Sequence, residues 1–158
     1  ECNEDGNNKA ELAITIASYL YRSGDRMKAL EYAEKGMETA TALNLKAACV
    51  HIQGTVAANE KNFQKAIELF NTAIELAEQT HFLSDMAMYI LDVAAVYLQM
   101  GLPETALSET YRAERYIKEC RNLDLYTRCA IRRAKILFLM NRDKDAKTLI
   151  MALADQQN

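Results

Sequence analysis

Ala29, Ala66, Ala106 and Ala146 each follow a turn and each open an apolar run, at separations of 37, 40 and 40 residues. A chain that repeats itself at such a period is built from stacked supersecondary units. One unit cannot bury its apolar face alone and completes its core against its neighbours. The repeat therefore constrains architecture before any other feature is considered, and it moves the question of function from catalysis toward binding.

The local signals describe four helical hairpins. A first helix starts at Asn8, where Asn8 and Glu11 can form a capping box, and Leu12, Ala13, Ile16, Ala17, Tyr19 and Leu20 recur at helical spacing. Ser23-Gly24-Asp25 breaks it, Gly24 supplying a left-handed residue and Asp25 a cap for a helix over 26–43. The second hairpin pairs 45–59 with 62–80, capped at Asn62, and the third pairs a Ser84-capped helix over 84–99 with one reaching 121. Gly101 ends the former, and Pro103 sits where a new helix loses nothing by lacking an N–H. The fourth pairs 123–140 with 143–156, capped at Asp143. The repeats are 9–43, 45–80, 84–121 and 123–156, within a single domain over 9–156 that follows a polar leader, 1–8.

Composition supports an all-α chain. One Pro and five Gly in 158 residues disfavour turn-rich β architectures. A net charge of −3 gives no electrostatic reason to expect nucleic acid. The longest apolar stretches, 86–91 and 93–98, are interrupted by Asp92 and are too short to span a bilayer.

Catalytic and metal chemistry find no footing. No cysteine pair has CxxC spacing, and His51 and His81 are not placed to complete a metal site, so neither metal nor cofactor is expected. Two histidines on separate elements support no Ser-His-Asp or Cys-His set, and the isolated glycines form no phosphate loop. Glu31, Glu34, Glu68, Glu75 and Glu78 belong to exposed helix faces. The chain is read as a non-enzyme. Cys49 and Cys129 hold equivalent repeat positions and read as small buried thiols, which favours a reducing, cytoplasmic compartment. Cys2 lies in the polar leader, where lipid attachment and a periplasmic or anchored location are the alternative. Without an initial Met, the chain reads as a processed form or a fragment.

The pattern resembles the tetratricopeptide repeat family. Helix A of that family carries a large residue, then Leu-Gly or Leu-Ala, then Tyr, and helix B carries Ala-x-x-x-Phe. The corresponding residues are Ala13, Ile16-Ala17, Leu20, Ala29 and Ala33 in repeat one, then Val50, Gln53-Gly54, Ala57, Ala66 and Phe70 in repeat two. Repeat three has Ile90, Val93-Ala94, Tyr97, Ala106 and Thr110, and repeat four has Ala130, Arg133-Ala134, Leu137, Ala146 and Ile150. Ala17, Gly54, Ala94 and Ala134 are small so that helices A and B can approach closely. The spacing exceeds the family's period of about 34. Gln53 and Arg133 stand where Leu is usual, so those interfaces are expected to be looser or shifted in register.

The resemblance implies an all-α fold, a right-handed α-α superhelix (solenoid) of four hairpins whose A helices line a concave groove. Aligning the repeats places Met88, Leu91, Leu98 and Gln99 of repeat three on that groove. Repeat four contributes Arg128, Ile131, Arg132, Lys135, Phe138 and Leu139. The Met-bearing apolar face suits an amphipathic partner segment, or else packs on another repeat. Arg128, Arg132 and Lys135 form a stripe at i, i+4 and i+7 that either seats an acidic group or is a solvated helix face. The family's chaperone-tail carboxylate clamp wants Lys then Asn in the first repeat, where Ile14 and Ser18 stand, so that partner is disfavoured. Leu149, Ile150 and Leu153 mark an exposed C-terminal edge, for further repeats or a homodimer. The leading reading is a non-catalytic scaffold that binds a protein or peptide segment. The alternatives are a sensory or regulatory region of a bacterial signalling protein, such as a sensor kinase or peptide-responsive regulator, and a self-assembly module.

Overall fold

A computed structural model describes residues 2–155, except for the side chains of Cys2 and Asn3. All the regular structure among the described residues is helical. The elements are α1 (Cys2–Ser23), α2 (Arg26–Thr39), α3 (Leu43–Asn59), α4 (Phe63–Gln79), α5 (Leu83–Gln99), α6 (Pro103–Cys120), α7 (Leu123–Leu139) and α8 (Asp143–Asp155). They fall into two compact units, Glu1–Phe82 and Leu83–Asn158, with two hairpins in each. No described helix is long and apolar enough to cross a membrane.

In the first unit α1 packs on α2, α2 on α3 and α3 on α4. Gly24, at φ +94°, closes the first turn, and the Asp25 carboxylate accepts the Lys28 N–H at 3.2 Å. Ala29 and Ala66 are fully buried in α2 and α4. Close approach explains two small residues. A Cβ on Gly36 would meet Cys49 Sγ at 2.9 Å, and one on Gly54 would meet the Phe70 ring at 2.8 Å. Gln53 lines a partly open pocket of about 180 Å³ together with Leu30, Val56 and Leu69.

Two expectations are corrected here. The first helix begins at Cys2, not at Asn8, and α2 ends at Thr39 rather than 43. One cause serves both. The Asn7 side-chain oxygen accepts from Thr41 N–H, Thr41 Oγ1 and Ala42 N–H at 2.9, 3.0 and 3.1 Å. It thereby fixes Ala40 and Ala42 in extended conformation between α2 and α3. Gly6 lies close enough to that bend that a Cβ would meet Thr39 O at 2.8 Å. The early turns of α1 earn their place through polar contacts, so apolar periodicity cannot register them. The lipid reading of Cys2 concerns a side chain outside the described residues.

In the second unit α5 packs on α6 and α7, α6 on α7, and α7 on α8. Ala106, Leu107, Ile136, Leu137 and Ala146 form a shared core, with Tyr97, Leu98, Met140 and Leu149 against it. Gly101 (φ +75°) and Pro103 separate α5 from α6 as expected. Arg121 and Asn141 take left-handed conformations at the next two turns, and Asn122 caps α7 by accepting from Leu125 N–H. Three proposed caps differ. Asn62 makes no side-chain cap bond, and Ser84 and Asp143 lie inside the first turns of α5 and α8. Gln156, the expected end of the last helix, lies outside the described residues.

Candidate functional site

The second unit carries an open apolar groove between α7 and α8. Helical spacing puts Ile131, Ala134, Phe138 and Leu139 of α7 along one side. Ala146, Ile150 and Met151 of α8 form the other, with Leu98 of α5 at one end. The groove encloses about 740 Å³, and its polar lining is confined to Lys135, Asp143 and Lys147. Phe138 and Leu139 are 64% and 62% exposed, and Met151 54%. Scattered exposed apolar residues need no explanation, whereas these lie together along one concavity.

A second concavity of about 380 Å³ adjoins it, lined by Ala95, Leu98, Gln99, Arg128, Ile131, Arg132 and Lys135. Leu98, Ile131 and Lys135 belong to both, so the two share a wall. Arg128 and Lys135 are exposed. Arg132 is held more rigidly, because its guanidinium donates to the Leu91 carbonyl oxygen. Burial lowers its pKa, Asp92 acts in the opposite sense, and neighbouring Arg128 adds to the lowering. An arginine stays charged through such shifts.

The sequence-derived positions separate as follows. Leu98, Gln99, Arg128, Ile131, Arg132 and Lys135 converge on the paired concavities. Leu91 does not. It is 1% exposed and belongs to the core, because α5 is flanked by both α6 and α7 and little of its circumference stays open. Met88 is half-buried and lines neither space. On α8, Ile150 lines the apolar groove, whereas Leu149 packs against the core and Leu153 is half-buried. Leu149, Leu153 and Ile150 fall at about 0°, 40° and 100° around α8, and of the three only Ile150 lines the groove. Met151 joins Ile150 on the groove, and Lys147 was not singled out from the sequence, although the spacing of α8 from Asp143 onward was its available signal.

Arg133 proves to be structural, and its interface is not loose. It is 8% exposed, stacks over Tyr111 at 4.1 Å, and donates to Thr110 Oγ1, Thr110 O and Glu114 at 3.1, 3.1 and 2.9 Å. A guanidinium thus fills the usual Leu position and satisfies its hydrogen bonds at once. Burial tends to raise the Glu114 pKa, but hydrogen bonds from Lys118 and Arg133 outweigh it and hold the carboxyl below its usual range. Cys49 and Cys129 are buried, as expected, and burial pushes the Cys49 thiol up to about 11. Among the described residues no group of three or more His, Cys, Asp or Glu is placed to hold a metal.

No family model and no curated protein sequence matches the chain. Solved structures do. Aspartyl phosphate phosphatase F from Bacillus subtilis aligns with 90% of this chain and 38% of its own, at TM-score 0.84 and 17% identity. The apo form of RapI aligns with 96% of this chain and 57% of its own, at TM-score 0.81 and 14% identity. YrrB, described as a tetratricopeptide repeat protein with an unusual peptide-binding site, aligns with 96% and 71%, at TM-score 0.62 and 18% identity. The protein therefore has an all-α, tetratricopeptide-like repeat fold. It spans well under two thirds of the first two structures it resembles.

Proposed function

We propose that this chain is a non-catalytic scaffold that binds an amphipathic peptide segment, or a helix of a partner protein, in the α7–α8 groove. One observation carries the reading: Ile131, Phe138, Leu139, Ile150 and Met151 leave large apolar surfaces open along a single concavity. Helix-in-groove recognition needs such a surface, and Met adapts it to different side chains. YrrB, of the same fold, has a peptide-binding site by its description, which supports the class of ligand. The segment would bury its own apolar residues and leave its polar face to solvent.

The experiment is a selection of 16-residue peptides from a random display library on the full chain, followed by fluorescence polarisation. Phe138→Ser and Ile150→Ser each remove an exposed apolar wall with little effect on folding. We expect selected peptides to lose at least tenfold in affinity to each variant, which corresponds to roughly 1.4 kcal/mol. Peptides that bind both variants as tightly as the parent would refute the groove.

A second reading is favoured by the comparisons. Two of the similar structures, phosphatase F and RapI, are longer than this chain, which corresponds to 38% and 57% of them. The groove would then belong to the sensory or regulatory region of a larger protein. Its output would be a peptide-dependent change in a partner's activity rather than affinity alone.

A further inference from the structure

Beside the apolar groove lies a separate electrostatic feature, and its position says more about the ligand than its sign does. Arg128, Arg132 and Lys135 gather three cationic side chains in one concavity. Asp92 acts on Arg132, and Asp143 lines the adjoining groove with Lys135 and Lys147. These four cationic side chains and two carboxylates leave the paired concavities locally positive in a chain whose formal net charge is −3. Arg132 is anchored through Leu91 O, whereas the Arg128 and Lys135 side chains extend into solvent. One anchored and two exposed cationic donors can gather around a carboxylate.

We infer that the ligand is an acidic amphipathic segment, its apolar residues seated among Phe138, Leu139 and Ile150 and its carboxylates held at Arg128, Arg132 and Lys135. The inference rests on the peptide-binding reading above and adds the partner's charge and spacing. Arg128 and Phe138 are ten residues apart on one helix, about 15 Å along its axis. Matching that separation takes roughly ten residues of a ligand helix, or about five of an extended one. The shared wall of Leu98, Ile131 and Lys135 lets a single segment run from one concavity into the other. Charge complementarity thereby selects the occupant, because a neutral apolar helix would leave the cations unanswered.

The test uses the full chain and the peptides selected above. Each peptide is compared with a form in which its Asp and Glu are replaced by Asn and Gln. Both are titrated against the parent chain and against Arg128→Gln combined with Lys135→Gln, two exposed positions whose change spares the core. Acidic residues should be enriched between about 5 and 15 Å from the apolar cluster of the selected peptides, the span from Lys135 to Arg128. Neutralising them should weaken binding about tenfold, and the double Gln variant, which keeps Arg132, should show a clearly smaller difference between the two forms. Raising the salt concentration should erode binding of the acidic form alone.

Peptides that require Phe138 and Ile150 yet bind the parent and the double Gln variant equally would overturn this inference and leave the groove standing. Peptides indifferent to Phe138 and Ile150 would remove both. Concentration-dependent dimerisation in sedimentation, abolished by Phe138→Ser, would identify a second copy as the occupant and overturn it too.

Discussion

At the residue scale, single atoms decide how closely the helices lie. Gly54 is the clearest example: the Phe70 ring occupies the space where its Cβ would stand, and Leu69 Cβ lies 3.3 Å from the same point. Alanine at position 54 would gain up to about 1 kcal/mol of helix propensity. Crowding against two side chains in a packed interface costs more, about 1–3 kcal/mol. We expect Gly54→Ala to destabilise the protein by about 1 to 2 kcal/mol in urea unfolding, and Phe70→Leu in the same chain to recover part of it. A gain in stability would show that α3 and α4 can move apart without loss. Ala17, Ala94 and Ala134 are likewise buried, so the small-residue rule read from the sequence holds at three of its four positions through burial and at Gly54 through contact.

At the scale of elements, α6 and α7 are joined by a charged pair rather than by the expected leucine. Arg133 and Glu114 have side chains 10% and 19% exposed. Arg133→Ala leaves Glu114 with Lys118 as its partner but opens the space the guanidinium fills and removes its bonds to Thr110, so stability should fall by about 1–3 kcal/mol. Replacing both, as Arg133→Leu with Glu114→Met, should come close to neutral, because apolar groups of similar volume need no partner. Thermal or urea unfolding of the two variants distinguishes these outcomes, and equal losses would argue that packing alone matters at this interface. Such detail marks where the sequence stops being legible. Helix positions followed from apolar periodicity and from Gly24, Gly101 and Pro103, since those signals are local. The early start of α1 did not, because Asn7 acts on a bend more than thirty residues away. Leu91 was misplaced for a related reason: periodicity gives the face of a helix but not how many neighbours cover it. The basic stripe of α7 was visible from its spacing, whereas the apolar wall that α8 supplies required knowing which side of that helix faces α7.

At the scale of the whole molecule, acid should weaken the protein. Asp25 and Glu114 both have pKa values below their ordinary ones, through bonds to Lys28 in the first case and to Lys118 and Arg133 in the second. A carboxyl depressed in the folded state adds stability at pH values above its unfolded pKa, and that stability drains away as the pH falls through the folded value. Urea midpoints should therefore be nearly level from pH 7 to about 5 and fall below about pH 4.5, with Glu114→Gln showing a shallower fall. A midpoint unchanged down to pH 3 would contradict the bonding described at both sites. The shared wall of the two concavities has a different kind of consequence. Ile131 lines both the apolar and the charged space, so no substitution there can tune one without disturbing the other. Sequence drift at that position would be pleiotropic, reshaping the apolar and the charged surface in the same step.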